Sequence, residues 1–81
     1  MKRNKKTIVI TGGAGFIGAN MAHAFLKDNY KVIVFERKNA DWWRLKEIKK
    51  QIIIASPDLL DTKKIETAIK KIKPSVWFNS N

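Results

Sequence analysis

The stretch Thr7-Ile8-Val9-Ile10-Thr11-Gly12-Gly13-Ala14-Gly15-Phe16-Ile17-Gly18 decides how the chain is read. It begins as a short apolar run rich in β-branched residues, which fits a buried strand. Glycines follow at 12, 15 and 18, in the spacing G-x-x-G-x-x-G. The residues beyond them are amphipathic, so the glycines turn a strand into a helix. A helix N-terminus carries free backbone N–H groups and a partial positive charge, and it holds an anion well. Gly12 permits the tight turn, Gly15 admits close approach of phosphates, and Gly18 lets the helix lie near the sheet. The expected ligand is the diphosphate of a nucleotide cofactor, held by the main chain of Gly12, Gly15, Phe16, Ile17 and Gly18.

Three more apolar runs lie downstream: Val32-Ile33-Val34-Phe35, Ile52-Ile53-Ile54-Ala55 and Val76-Trp77-Phe78. They are continuous rather than alternating, which predicts parallel strands buried on both faces. Helical patterns separate them. Ile17, Met21, Ala24 and Phe25 share one face of the first helix, and Ile65, Ala68, Ile69 and Ile72 share one face of the last. Asp61 is the expected N-cap of that last helix, and Pro74 ends it. A weaker middle helix would start at Asp41 and use Trp43, Leu45 and Ile48 as its apolar residues. Residues 37–41 form the loop with most room to move.

The order βαβαβαβ with right-handed crossovers predicts an α/β fold: a Rossmann-type parallel sheet in strand order 3-2-1-4. In that order two helices cover one face of the sheet and a single helix covers the other. The fourth strand is an edge. The sequence therefore reads as truncated. Residues 1–81 are expected to be the N-terminal part of an NAD(P)-binding Rossmann domain. The remaining domain or a protein partner would be needed to cover the sheet.

Composition narrows the field. Eighty-one residues make one small domain, and the chain has no cysteine for a disulfide or a thiolate metal site. No apolar run is long enough to span a membrane or to serve as a signal peptide, so a cytoplasmic protein is expected. The net charge is +10, from 17 Lys and Arg against 7 Asp and Glu. Most lysines fall on polar helix faces and at the N-terminus. The charge therefore names no nucleic-acid partner, and a nucleic-acid function is disfavoured.

Glu36 ends the second strand, 24 positions after Gly12. A carboxylate there can accept hydrogen bonds from the ribose hydroxyls of NAD and would repel a 2′-phosphate. Arg37 follows directly, and a guanidinium could bind that phosphate or stack on adenine. NAD is favoured, with NADP left open. Asp58, after Pro57, can accept the adenine amino group beside the Leu59 backbone, or it can simply form a turn. His23, the one histidine, is expected to be an exposed helix residue. Trp43 and Trp77 are expected to pack inside, with Trp42 partly exposed.

The segment Thr11 to Gly18 resembles the glycine motif of the extended short-chain dehydrogenase/reductase family. Within it, the chain is similar to nucleotide-sugar epimerases and dehydratases along nearly its whole length. Lys31 to Arg37 resembles the second strand with its ribose-reading end. Asp58-Leu59 resembles the adenine contact, with Pro57 where a Gly is frequent. Lys73 to Phe78 resembles the fourth strand. Asn79-Ser80-Asn81 departs from the His, apolar residue and two Ala often found there.

The resemblance implies an NAD-dependent parent that oxidises and reduces a sugar nucleotide. It also implies a catalytic Tyr with a Lys four residues later. The only tyrosine is Tyr30, and position 34 is Val34. The chain alone is therefore expected to bind the cofactor's adenosine and diphosphate without catalysing. A fragment of an NADPH-dependent carbonyl reductase and a non-catalytic NAD- or partner-binding module are the alternatives.

Overall fold

The computed structural model describes residues 6–37, 39–56 and 62–79. Among the described residues are four strands, β1 (Thr7–Thr11), β2 (Lys31–Phe35), β3 (Ile53–Ala55) and β4 (Val76–Asn79), and two α-helices, α1 (Phe16–Lys27) and α2 (Thr62–Ile72). The strands form one parallel sheet in the order β3-β2-β1-β4, as the sequence predicts. The register pairs Val9 with Ile33 and Trp77, and Ile33 with Ile53.

Alternation along the strands sends side chains to two separate cores. Ile8 and Ile10 of β1 with Val32 and Val34 of β2 pack under α1, together with Leu45, Ile48 and Ile52. Val9, Ile33 and Phe35 face the other way, against Ile69 of α2 and its half-buried neighbours Ile65, Ala68 and Ile72. The predicted apolar face of α2 is therefore the one in use.

Helix α1 turns a different face inward from the one expected. Gly18, Ala19 and Ala22 are its buried residues, Met21 and Phe25 are half-buried, and Ile17 is 59% exposed. Small side chains let the helix lie close on β1 and β2, and the bulk of Ile17 is turned out. The helix ends in a left-handed Asn29 with φ 67°. Asn29 N–H donates to Leu26 O and Tyr30 N–H to Phe25 O, and the Tyr30 and Phe25 rings meet edge to face at 4.7 Å. That hydrogen-bond pair with its apolar contact is a Schellman stop, which delivers the chain straight into β2.

The expected middle helix is instead two short 3₁₀ turns, Trp43–Leu45 and Lys49–Gln51. Bonds of the i to i−3 kind run Leu45 to Trp42, Ile48 to Leu45 and Gln51 to Ile48. A period of three places Trp42, Leu45 and Ile48 on one side, facing the α1 core. Trp42 is partly exposed as expected, but Trp43 is not the packing residue expected. Trp42 is half-buried, whereas Trp43 is 62% exposed with the Arg44 guanidinium 4.5 Å above its ring. Asp41 Oδ1 does accept the Trp43 N–H, at 3.3 Å.

His23 is not a free surface residue either. It is half-buried, and its Nε2 lies 2.9 Å from Arg44 O, tying α1 to the first 3₁₀ turn. Replacing His23 with Ala should lower stability by about 1 kcal/mol, seen as a fall in Tm of roughly 4–8 °C. An unchanged Tm would mean that this tie contributes nothing.

Only β1 and β2 are buried on both faces. Ile53 is 46% and Trp77 48% exposed. Their pairing with Ile33 and Val9 puts both on the α2 side of the sheet. Among the described residues, one helix covers the middle of that face and leaves both edges partly exposed, so Trp77 is not the core residue expected. The predicted cap Asp61 lies outside the described residues.

Candidate functional site

The glycine turn sits at the carboxyl ends of β1 and β2, beside the point where the strand order reverses. Such points are where ligands bind in open α/β sheets. Gly12 has φ 74°, a left-handed conformation that suits glycine alone at low cost. Gly15 N–H donates to Gly12 O at 3.2 Å and closes the turn. Gly15 then starts α1, with Ala19 N–H donating to Gly15 O at 2.9 Å. Among the described residues no side chain caps the helix, and its first turn holds no acidic residue. The amides of Phe16, Ile17 and Gly18 thus lie at an uncapped helix start, where amides have no intrahelical acceptor. Phe16 is 68% exposed at the same place.

Space at the turn is uneven. Among the described residues, a Cβ on Gly15 would have only Gly12 O near it, at 3.5 Å, so that flank is open to them. A Cβ on Gly13 would overlap Val34 Cγ1 and stand 3.1 Å from Cγ2. Gly13 is therefore a glycine for packing, a role the sequence analysis did not single out. The only hint in the sequence was three glycines among the four residues 12 to 15.

The structure brings Glu36 to this turn. Its side chain is 10% exposed. Oε2 accepts the Ala14 N–H at 3.3 Å, and Oε1 accepts the Arg37 N–H at 2.9 Å. The Arg37 guanidinium is largely exposed, with Nε 3.9 Å from Oε1. Gly12, Gly15, Phe16, Ile17, Gly18, Glu36 and Arg37 thus form one cluster. Asp58 and Leu59 lie outside the described residues. At the end of β4, Thr11 Oγ1 donates to Asn79 Oδ1 at 2.8 Å, so Asn79 belongs to the sheet.

Among the described residues, no group of three or more His, Asp or Glu could hold a metal ion. No helix among them is long and apolar enough to cross a membrane. A lysine-lined groove (Lys63, Lys64, Thr67, Ala68, Lys71) runs along α2, and no residue of the turn lines it.

The family described as GDP-mannose 4,6 dehydratase matches residues 9–79, from within β1 through the turn and β2 to the end of β4. The chain belongs to this family. Solved structures agree with the placement. The dTDP-glucose 4,6-dehydratase of Bacillus anthracis, crystallised with NAD, is 28% identical with a TM-score of 0.77, over 94% of this chain and 26% of that one. An epimerase from Methanothermobacter thermautotrophicus is 25% identical with a TM-score of 0.76, over 96% of this chain and 23% of that one. The Bordetella bronchiseptica enzyme WbmG, in complex with NAD and UDP, shares the fold at 23% identity and a TM-score of 0.75, over 96% of this chain and 25% of that one. The chain spans about a quarter of the length of these relatives. No curated protein matches it.

Proposed function

We propose that this chain holds the adenosine and diphosphate half of NAD at the 12–18 turn and the end of β2. The observation that carries the reading is the uncapped start of α1, open on the Gly15 side, with the Glu36 carboxylate beside it. The residues fit such a group. Amides of Phe16, Ile17 and Gly18 would donate to the diphosphate oxygens, helped by the helix dipole. Glu36 would accept from the ribose hydroxyls with the lone pairs its two backbone donors leave free. Asp58 and Leu59 are proposed at the adenine. NAD supplies hydride chemistry when bound. The longer relatives motivate a parent that oxidises and reduces a sugar nucleotide.

Isothermal titration with NAD, NADP and ADP-ribose tests the reading. NAD and ADP-ribose should bind with similar affinity, and NADP more weakly. The Glu36→Ala variant should lose NAD affinity by about tenfold, since a hydrogen bond to a charged group contributes on the order of 1.5–3 kcal/mol. Its loss for NADP should be smaller, because a repulsive charge goes too. Equal losses for both cofactors would remove the ribose role. A preference for NADP in the unaltered chain would assign recognition to Arg37 instead.

A further inference from the structure

Three consecutive residues of β2 and its end hold three consecutive residues of the turn. Val34 packs against Gly13, Phe35 O accepts the Gly12 N–H at 2.8 Å, and Glu36 Oε2 accepts the Ala14 N–H at 3.3 Å. The first contact is packing and the second is main chain to main chain. The third alone depends on a polar side chain. That side chain is itself fixed, because Oε1 is bonded to the Arg37 N–H at 2.9 Å and β2 continues past Phe35 through Glu36 N–H to Ala55 O at 3.0 Å.

We propose that Glu36 is a positioning residue for the phosphate turn, separate from any contact it makes with a ribose. The inference rests on the reading of that turn as a diphosphate site. Ala14 lies inside the turn that Gly12 and Gly15 close, two residues before the helix amides begin. Holding the Ala14 amide sets how the turn enters α1, and so sets where the Phe16, Ile17 and Gly18 amides aim. Donors already oriented bind an anion without the cost of ordering a loop.

Electrostatics makes the claim testable by sign. A carboxylate beside an anion site repels the anion, so its removal by charge alone should tighten binding. If Glu36 holds the turn in shape, its removal should loosen binding. Inorganic pyrophosphate is the right probe, since it has no ribose. Glu36→Gln is the right variant. Gln keeps the size and one acceptor oxygen, but its NH2 replaces one of the two oxygens that the Ala14 and Arg37 amides reach, and it carries no charge.

Pyrophosphate should displace NAD from the unaltered chain, and Gly15→Val should abolish its binding. In Glu36→Gln, pyrophosphate affinity should fall by roughly three- to tenfold at fixed ionic strength. Unchanged or tighter pyrophosphate binding in Glu36→Gln, with NAD still bound by the unaltered chain, overturns the positioning role alone. Failure of pyrophosphate to compete with bound NAD overturns it as well. Failure of NAD to bind at all overturns the reading of the site beneath it. Hydrogen exchange in the unaltered chain gives a check that needs no variant. The Ala14 amide should exchange at least roughly tenfold more slowly than those of Phe16 and Ile17. Exchange as fast as theirs means that Glu36 does not hold the turn.

Discussion

Gly13→Ala should lower the stability of this protein by about 1–3 kcal/mol, the range for forcing extra volume into a packed interior. In a domain of this size the fall in Tm is on the order of 5–20 °C. The new methyl would overlap Val34 Cγ1. Val34 has little room to give. It is 0% exposed, in the middle of the sheet, and β-branched, so one rotamer is strongly preferred. Either β2 shifts or the turn lifts away from it.

A double-mutant cycle with Val34→Ala separates this overlap from other causes. Val34→Ala alone leaves a cavity, but in the Gly13→Ala background it also makes room. The two changes should therefore couple favourably, by about 0.5–3 kcal/mol. Strict additivity would mean that the Gly13 methyl is not limited by Val34.

Gly15→Val should act in the opposite way, sparing the fold and removing the ligand. Gly15 has φ −73° and ψ 174°, an extended conformation open to any residue. The nearest atom to its Cβ is at an ordinary contact distance of 3.5 Å. Stability should change by no more than about 0.5 kcal/mol, as for other unobstructed surface positions. The valine methyls would instead fill the space in front of the α1 amides. Loss of two charge-assisted hydrogen bonds corresponds to a fall in NAD affinity on the order of a hundredfold. Titration beside a thermal melt reads both effects. An unaltered NAD affinity would place the diphosphate elsewhere.

The contrast between these two glycines shows what was legible in the sequence and what was not. The strand order, the two α-helices and the turn could be read because each run of β-branched residues was bounded by glycine, proline or a helical pattern. Gly12 could be read because a tight turn out of a strand calls for glycine. Gly13 could not, because its need arises from Val34, a residue 21 positions away in sequence. Glu36 was marked as a ligand group from its place at a strand end. Its hold on Ala14 depends on how two loops converge, and spacing does not report that.

The other departures share one cause, the choice of period or rotation. Trp42, Leu45 and Ile48 recur every three residues, and this fits a 3₁₀ turn better than the α-helix drawn through Trp43. On α1, hydrophobicity pointed to Ile17, but closeness to the sheet selected Gly18, Ala19 and Ala22. Small residues carry little hydrophobic signal and so are easily passed over. Trp77 and Ile53 looked like core because buried parallel strands usually are apolar on both sides. They are exposed because α2 is the only helix packed on their face among the described residues.

The central claim is that the main-chain amides of Phe16, Ile17 and Gly18, at the end of a turn held against β2, bind the diphosphate of NAD. The most direct measurement is an NMR titration of the isotope-labelled chain with NAD, following every backbone amide. The account predicts saturable shifts that are largest at Gly12, Gly15, Phe16, Ile17 and Gly18, with Glu36 and Arg37 next. Shifts confined to the lysine groove of α2, or a glycine turn that stays silent at saturating NAD, would contradict it.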